Sequence, residues 1–167
     1  MVSIRNAEVR DASAIAHVHV QSWRTTYAGV VPAEYLSSLD EADRMLQWME
    51  WLKLDICAHV AELNGGVIGF VSGGALREPI DDYRAEMYAI YLLKEAQGKG
   101  IGRELVSVLA ASLLAKGFTN MLVWVLEQNP AVGFYEKLGA RRLRSREIEI
   151  GGILLPELAL GWTNLNQ

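Results

Sequence analysis

Just past Leu93 the chain sets Gln97-Gly98-Lys99-Gly100-Ile101-Gly102, three glycines at alternate positions with a lysine among them. An apolar run precedes this stretch and a helix-spaced apolar pattern follows it, so the glycines stand where a strand feeds the start of a helix. A helix start exposes N–H groups without intrahelical partners, together with the positive end of the peptide dipole. Glycine lets such backbone approach an anion closely and adopt positive φ without strain. The chemistry available here is the cradling of a phosphate, and three readings compete: a plain turn, a nucleotide site, or a site for some other pyrophosphate. Two nucleotide fingerprints fail on their spelling. The dinucleotide pattern G-x-G-x-x-G requires glycine where Arg103 stands, and the P-loop requires glycine at Leu93 and Ser or Thr at Gly100.

Other reactive side chains are less suggestive. His17 and His19 lie two apart on a predicted helix and do not share a face, which argues against a common metal ion. His59 alternates with Cys57 and Ala61 on a predicted strand and reads as a packed or edge position. Cys57 is the single cysteine. It excludes an intrachain disulfide, and with no evident histidine partner it offers no acyl-enzyme route.

The elements that must position the glycine loop follow from periodicity and breakers. Residues 2–9 contain a first strand. Asp11 is placed to cap a helix in which Ile15, Val18, His19 and Ser22 recur at helical spacing. Glu34 to Leu39 and Glu41 to Leu52 are further helices. Ile56 to Leu63 and Val67 to Ser72 flank Asn64-Gly65-Gly66, a tight-hairpin signal because asparagine and glycine tolerate the positive φ of primed turns. Ala85 to Leu93 is a strand running into the loop, and the helix after it ends near Lys116, with Gly117 as its stop. Met121 to Leu126 is apolar throughout, as in a strand covered on both faces. Pro130 opens another helix that Gly139 closes, and Arg144 to Ile150 with Leu154 to Gly161 form a final pair around Gly151-Gly152. This order predicts an α+β domain, one sheet with helices on both faces, rather than a βαβ repeat.

The bulk properties narrow the partners. The 167 residues are 51% hydrophobic and 22% charged, which suits one domain spanning 1–167 with a single good core. A net charge of −4 provides no broad basic surface for nucleic acid or anionic membrane. The first residues lack the apolar core of a signal peptide, and the longest apolar run, Leu105 to Ala115, is too short to span a bilayer and is broken by Ser107 and Ser112. A cytoplasmic protein is expected, and the final β-pair is available for a homodimer contact.

Gln97-x-x-Gly100-x-Gly102 resembles the Q/R-x-x-G-x-G/A signature of the Gcn5-related N-acetyltransferases (GNAT). A second stretch, Trp124 to Arg142, resembles that family's later motif: a strand, an asparagine, then a helix carrying Phe-Tyr-Glu-x-x-Gly. The opening residues up to Leu36 are also similar to the N-terminal part of bacterial-type members, so the resemblance covers nearly the whole chain. It implies a mixed, mostly antiparallel central sheet of about six to seven strands. It further implies an acetyl-CoA-dependent N-acetyltransferase acting by direct amine attack, with no metal. On this resemblance Gln97, Gly98, Lys99, Gly100, Ile101, Gly102 and Arg103 hold the pyrophosphate of acetyl-CoA. Ile90, Tyr91 and Leu92 pair through backbone with the pantetheine amides, and Asn129 bonds the same arm. Tyr135 matches the family's general acid beside the coenzyme sulfur. Glu86, at the start of the strand, is the expected base, directly or through water, while Asp81 and Asp82 would draw a cation toward the pocket. Tyr27 is the aromatic residue expected to touch the acceptor, a small amine rather than a protein. The alternative within the same fold is a coenzyme A-binding sensor without turnover, and a nucleotide-binding protein is a third reading.

Overall fold

A computed structural model of the chain describes residues 1–166. Its elements run β1 (Val2–Asn6), α1 (Ala12–Thr26), α2 (Ala33–Ser38), α3 (Glu41–Trp51), β2 (Cys57–Leu63), β3 (Gly66–Ala75) and β4 (Ala85–Leu92), then α4 (Ile101–Ala115), β5 (Met121–Leu126), α5 (Ala131–Lys137), β6 (Arg141–Ile150) and β7 (Ile153–Trp162). The strands form one seven-stranded sheet in the order β1-β2-β3-β4-β5-β7-β6. Every pairing is antiparallel except that of β4 with β5. The Asn64-Gly65 turn joins β2 to β3 with both residues at positive φ.

Alternation along the strands divides the core between two faces of the sheet. Val71, Met87, Val123 and Leu160 turn one way and pack with Leu105, Leu109 and Leu113 of α4. Val60 and Phe70 turn the other way, against Ile15 and Val18 of α1 and Trp48 of α3. Farther along that second face, Val31 and Leu36 cover Leu126, Ile150 and Leu155. The β3–β4 loop lays Ile80 and Tyr83 over Leu122 and Ala159. Such burial, at roughly 25 cal/mol per Å² of apolar surface, is what holds both layers to the sheet.

Two local features depart from the sequence expectation. The first strand ends at Asn6, and a 3₁₀ turn over Val9–Asp11 follows. Asp11 makes no side-chain cap to α1. Its carboxylate instead takes both terminal nitrogens of Arg5 at 2.8 Å and the Glu8 amide at 2.7 Å. A nearby guanidinium outcompetes the helix amides for the carboxylate, because charge-assisted bonds are the stronger ones. The Arg5 contact holds the Asp11 carboxyl below its usual range.

The feature that matters for function is a splay in the sheet centre. β4 and β5 pair only at Glu86↔Leu122 and Met87↔Val123. Beyond that point β4 stays with β3 as far as Leu92, and β5 stays with β7 as far as Leu126. The register between β3 and β4 slips after Ser72, leaving Tyr88 as an extra residue on β4. A bulge of this kind bends its strand and raises its twist, which turns β4 away from β5. The two parallel strands thus open into a V whose mouth lies at their C-terminal ends.

Candidate active site

A cavity of about 630 Å³ occupies the mouth of the V. One wall is β4, with Ile90, Tyr91 and Leu92; the opposite wall is Asn129, Ala131, Phe134 and Tyr135, leading into and along α5. Gln97, Gly98, Gly100, Gly102 and Arg103 close one end, and Ser22, Thr25 and Thr26 of α1 form the roof. Because β5 has left, the alternate N–H and C=O groups of β4 that face the gap have no strand partner, an open edge suited to an extended amide-bearing chain.

The loop takes its shape from its glycines. Gly98 and Gly100 sit at φ +75° and +82°, and Gly100 is the residue from which α4 starts. The first backbone bond of α4 runs from the Glu104 amide to the Gly100 carbonyl at 3.2 Å. The amides of Ile101, Gly102 and Arg103 precede that bond and are available at the positive end of a fifteen-residue helix. A Cβ on Gly102 would stand 3.3 Å from Phe134 Cζ, so the missing side chain lets α5 pack closely here.

The expected residues are distributed as follows. Lys99 is exposed on the loop and lies outside the cavity lining. Ile101 turns its side chain into the core, leaving only its amide at the helix start. Gln97 lines the cavity, but its amide nitrogen donates to the Leu92 carbonyl at 3.2 Å, where Ser22 Oγ also donates at 3.2 Å. The last carbonyl of β4 is therefore held by two side chains, which brace the loop and α1 against the strand. Lys94 lines the cavity and adds a cation to that of Arg103.

Tyr135 is buried between Phe134 and Trp162, with ring centroids 5.5 Å and 5.9 Å away. Its hydroxyl has no hydrogen-bond partner among the described residues and is not sealed off, so it opens on the cavity. Burial pushes its pKa well above the ordinary phenol value, and the group stays protonated. Asn129 uses its carbonyl oxygen to accept the Ala131 amide at 2.8 Å, which caps α5, and its amide nitrogen to donate to Tyr27 Oη at 3.0 Å. Capping and a site contact thus coexist in one side chain.

Tyr27 lies behind this wall rather than in the cavity lining. It is buried, stacks edge-on against Trp23 at 4.6 Å, and neighbours the Tyr91 hydroxyl. Trp23 Nε1 donates to Tyr91 Oη at 3.0 Å. Burial pushes both phenols upward in pKa. The other face of Tyr91 meets His19, ring centroids 5.3 Å apart and planes 20° from parallel. Trp48 Nε1 donates to His19 Nδ1 at 3.1 Å, and burial, with Arg44 nearby, lowers the His19 pKa to about 3.

Glu86 occupies the closed end of the V. It is 1% exposed, and its carboxylate accepts Arg77 Nη2 at 2.5 Å and the Arg77 amide at 3.2 Å. It does not line the cavity that holds Tyr135. Asp81 pairs with Arg144 at 3.4 Å. His59 is bonded to Ser112 at 2.9 Å within the sheet–α4 layer. Among the described residues no cluster of His, Cys, Asp or Glu could hold a metal ion, and no helix is long and apolar enough to cross a membrane.

A mostly antiparallel sheet splayed at one parallel pair, with a glycine-led helix start at the opening, is an architecture this chain shares with acetyltransferases of known structure. Residues 18–140 match the acetyltransferase (GNAT) family, and the chain belongs to it. Over 166 residues it is 42% identical to the uncharacterized N-acetyltransferase YuaI of Bacillus subtilis, covering 99% of this chain and 95% of that one. Over 80 residues it is 39% identical to the acetyltransferase ECA0875 of Pectobacterium atrosepticum, covering 47% of this chain and 53% of that one. Among solved structures it is similar to the PaiA N-acetyltransferase of Thermoplasma acidophilum in complex with coenzyme A. That match has a TM-score of 0.70 and 25% identity, over 94% of this chain and 98% of the other. The fold is also that of YncA from Salmonella typhimurium, solved with acetyl-CoA, at a TM-score of 0.75 and 23% identity over 100% and 95% of the two chains.

Proposed function

We propose that the protein transfers the acetyl group of acetyl-CoA to a small primary amine by direct attack of the amine on the thioester. The observation that carries this reading is the single cavity region in which an anion-binding helix start, an unpaired strand edge and an unbonded phenol meet. These residues fit the parts of acetyl-CoA in order. The amides of residues 101–103, with the cations of Arg103 and Lys94, suit the pyrophosphate. The open edge of β4 at Ile90 to Leu92 suits the pantetheine amides, and Asn129 stands on the facing wall. Tyr135 Oη suits the sulfur.

A thioester is already activated, so the protein's tasks are orientation and proton management. The Tyr135 phenol is protonated and free to hydrogen-bond the sulfur as the carbon–sulfur bond breaks. A buried phenol is a weaker acid than a thiol of pKa about 8.5, so this bond stabilises the forming thiolate rather than running ahead of it. Two protons leave an alkylammonium on acetylation: one ends on the sulfur and one in water. Glu86, bound to Arg77 at the closed end of the V, serves in this reading as the clasp that fastens the β3–β4 loop. Incubation with acetyl-CoA and a panel of primary amines, followed by release of free thiol, tests the proposal. Amine-dependent thiol release is expected; binding without release would instead support a coenzyme A-binding protein that performs no turnover.

A further inference from the structure

If acetyl transfer is the reaction, a carboxylate should stand on the acceptor face at the open end of the V, and the sequence expectation did not place one there. The sheet register identifies it. On β5, Leu122, Trp124 and Leu126 turn toward the acceptor face, since Leu122 and Trp124 pack beneath the β3–β4 loop and Leu126 beneath the segment around α2. Their β7 partners are Gly161, Ala159 and Glu157. Glu157 therefore shares the face of Leu126, the last residue of β5, while Glu86 sits opposite Leu122 at the other end of the same strand. Four residues of extended strand separate the two positions, on the order of 13 Å. Only the Glu157 end adjoins Asn129 of the cavity wall, with Glu157 itself set behind that lining: the Glu127 amide bonds the Pro156 carbonyl at 2.9 Å, and the Asn129 amide bonds the Leu126 carbonyl at 2.9 Å.

The surroundings of Glu157 suit a cation. Its side chain is 12% exposed, and one carboxylate oxygen accepts Arg146 Nε at 2.8 Å. The other oxygen has no partner among the described residues and is not sealed from solvent. Arg146 also binds both oxygens of Glu78 at 3.2 Å, and its guanidinium is fixed 3.7 Å above the Trp124 ring. Two carboxylates around one guanidinium leave this corner with one net negative charge. The charge of Glu157 reaches Tyr27, whose hydroxyl is bonded by Asn129 from the cavity wall.

We propose that Glu157 is the acceptor-side carboxylate: its unpartnered oxygen receives the ammonium of a small cationic amine and takes the proton that must leave before attack. In balance, one N–H proton passes to the Glu157 carboxylate and on to water. The nitrogen lone pair then forms the bond to the acetyl carbon as the carbon–sulfur bond breaks, and the second nitrogen proton restores the one delivered to sulfur near Tyr135.

This inference rests on the acetyl-transfer reading, and the experiment separates the two. Thiol release from acetyl-CoA is measured with an alkyl diamine, a phenylalkylamine, an amino sugar and an amino-acid amide, at pH 7 and pH 9.5, for the unaltered protein, Glu157→Gln and Glu78→Gln. Acetyl-CoA affinity is measured alongside by calorimetry. Glu157→Gln should lower turnover at pH 7 at least tenfold while leaving acetyl-CoA affinity unchanged. The deficit should shrink at pH 9.5, where an amine of pKa about 10.4 supplies more of its own neutral form. Glu78→Gln, which takes the other carboxylate from Arg146 and with it the net negative charge of the corner, should raise the KM for the amine while leaving kcat within about twofold of the unaltered protein. Should Glu157→Gln lose acetyl-CoA affinity, Glu157→Asp carries the test, with partial activity and the unaltered pH dependence expected. Undiminished turnover in Glu157→Gln, or a deficit equal at both pH values, would overturn the assignment of Glu157. No thiol release from the unaltered protein with any amine would overturn acetyl transfer itself.

Discussion

Two aromatic side chains, Tyr135 buried and His19 half-buried, set what can be tested at the scale of single residues. The Tyr135 hydroxyl is held in place by Phe134 and Trp162 yet bonded to nothing in the described protein. Removing that one oxygen deletes a proton donor without opening a cavity. Tyr135→Phe should therefore lower kcat by about 100-fold or more, the usual yield of general acid catalysis. Its acetyl-CoA affinity, followed by calorimetry, should not change. His19 makes the second test. Its ring stacks on Tyr91 and is neutral down to about pH 3 in the folded protein, whereas the unfolded chain takes up the proton near 6.5. Between those values the unfolded state binds more protons, so stability is lost as pH falls below 6.5. From this group alone the slope is at most about 1.4 kcal/mol per pH unit. Urea unfolding at pH 7 and pH 5 should show a smaller difference in His19→Gln, which retains an acceptor for Trp48 Nε1. These two residues also mark what a sequence can and cannot reveal. Tyr135 was legible because its neighbours Phe134 and Glu136 complete a local motif. Glu157 was not, because its place beside Leu126 and Tyr27 depends on β7 inserting between β5 and β6, a pairing no local pattern encodes. Ser22 gave a faint signal, a hydroxyl at an apolar-face position of α1, which bonding to the Leu92 carbonyl explains.

At the scale of elements, the start of α4 and the body of α5 use glycine for opposite reasons. Gly100 holds φ +82° with nothing within 4 Å of an added Cβ, so a side chain there is opposed by backbone conformation alone. Gly133 lies inside α5, has open space around it, and is not in a left-handed conformation. Gly100→Ala should cost about 1–2 kcal/mol and weaken acetyl-CoA binding by tilting the loop amides. Gly133→Ala should raise stability by up to about 1 kcal/mol, because glycine is a poor helix former. Thermal unfolding of both variants checks the two signs together. Most elements were legible because periodicity and breakers agreed: Asn64-Gly65 turns β2 into β3, and Gly117 and Gly139 follow the ends of α4 and α5. Asp11 does stand at the N-cap position of α1, but Arg5 reaches its carboxylate from the first strand and takes the place of the helix amides.

Across the whole molecule, the layers on the acceptor face are joined to the sheet by polar clasps as well as apolar packing. Arg77–Glu86 ties the β3–β4 loop to β4, and Arg146–Glu78 and Arg144–Asp81 tie it to the edge strand β6. Most of these partners are exposed, so the clasps position the loop more than they stabilise the fold. The splay is likewise a property of the assembled sheet. It needs β3 to hold β4 through a register slip while β7 holds β5, and neither strand announces this by itself. The sequence could suggest an anion cradle at the glycines, but the depth of the V behind it comes only from strand order.

The central claim is that the helix start at Gly100 and the open edge of β4 together hold a pyrophosphate-bearing thioester. Calorimetric titration with acetyl-CoA, compared with S-acetyl-pantetheine, which lacks the pyrophosphate, tests it most directly. Acetyl-CoA should bind with measurable heat, and at 100 times its Kd it should add about 2.7 kcal/mol of stability, or roughly 5–10 °C in Tm. Acetyl-pantetheine should bind far more weakly. Absence of heat and of a melting shift with acetyl-CoA, or equal affinity for the two thioesters, would contradict the account.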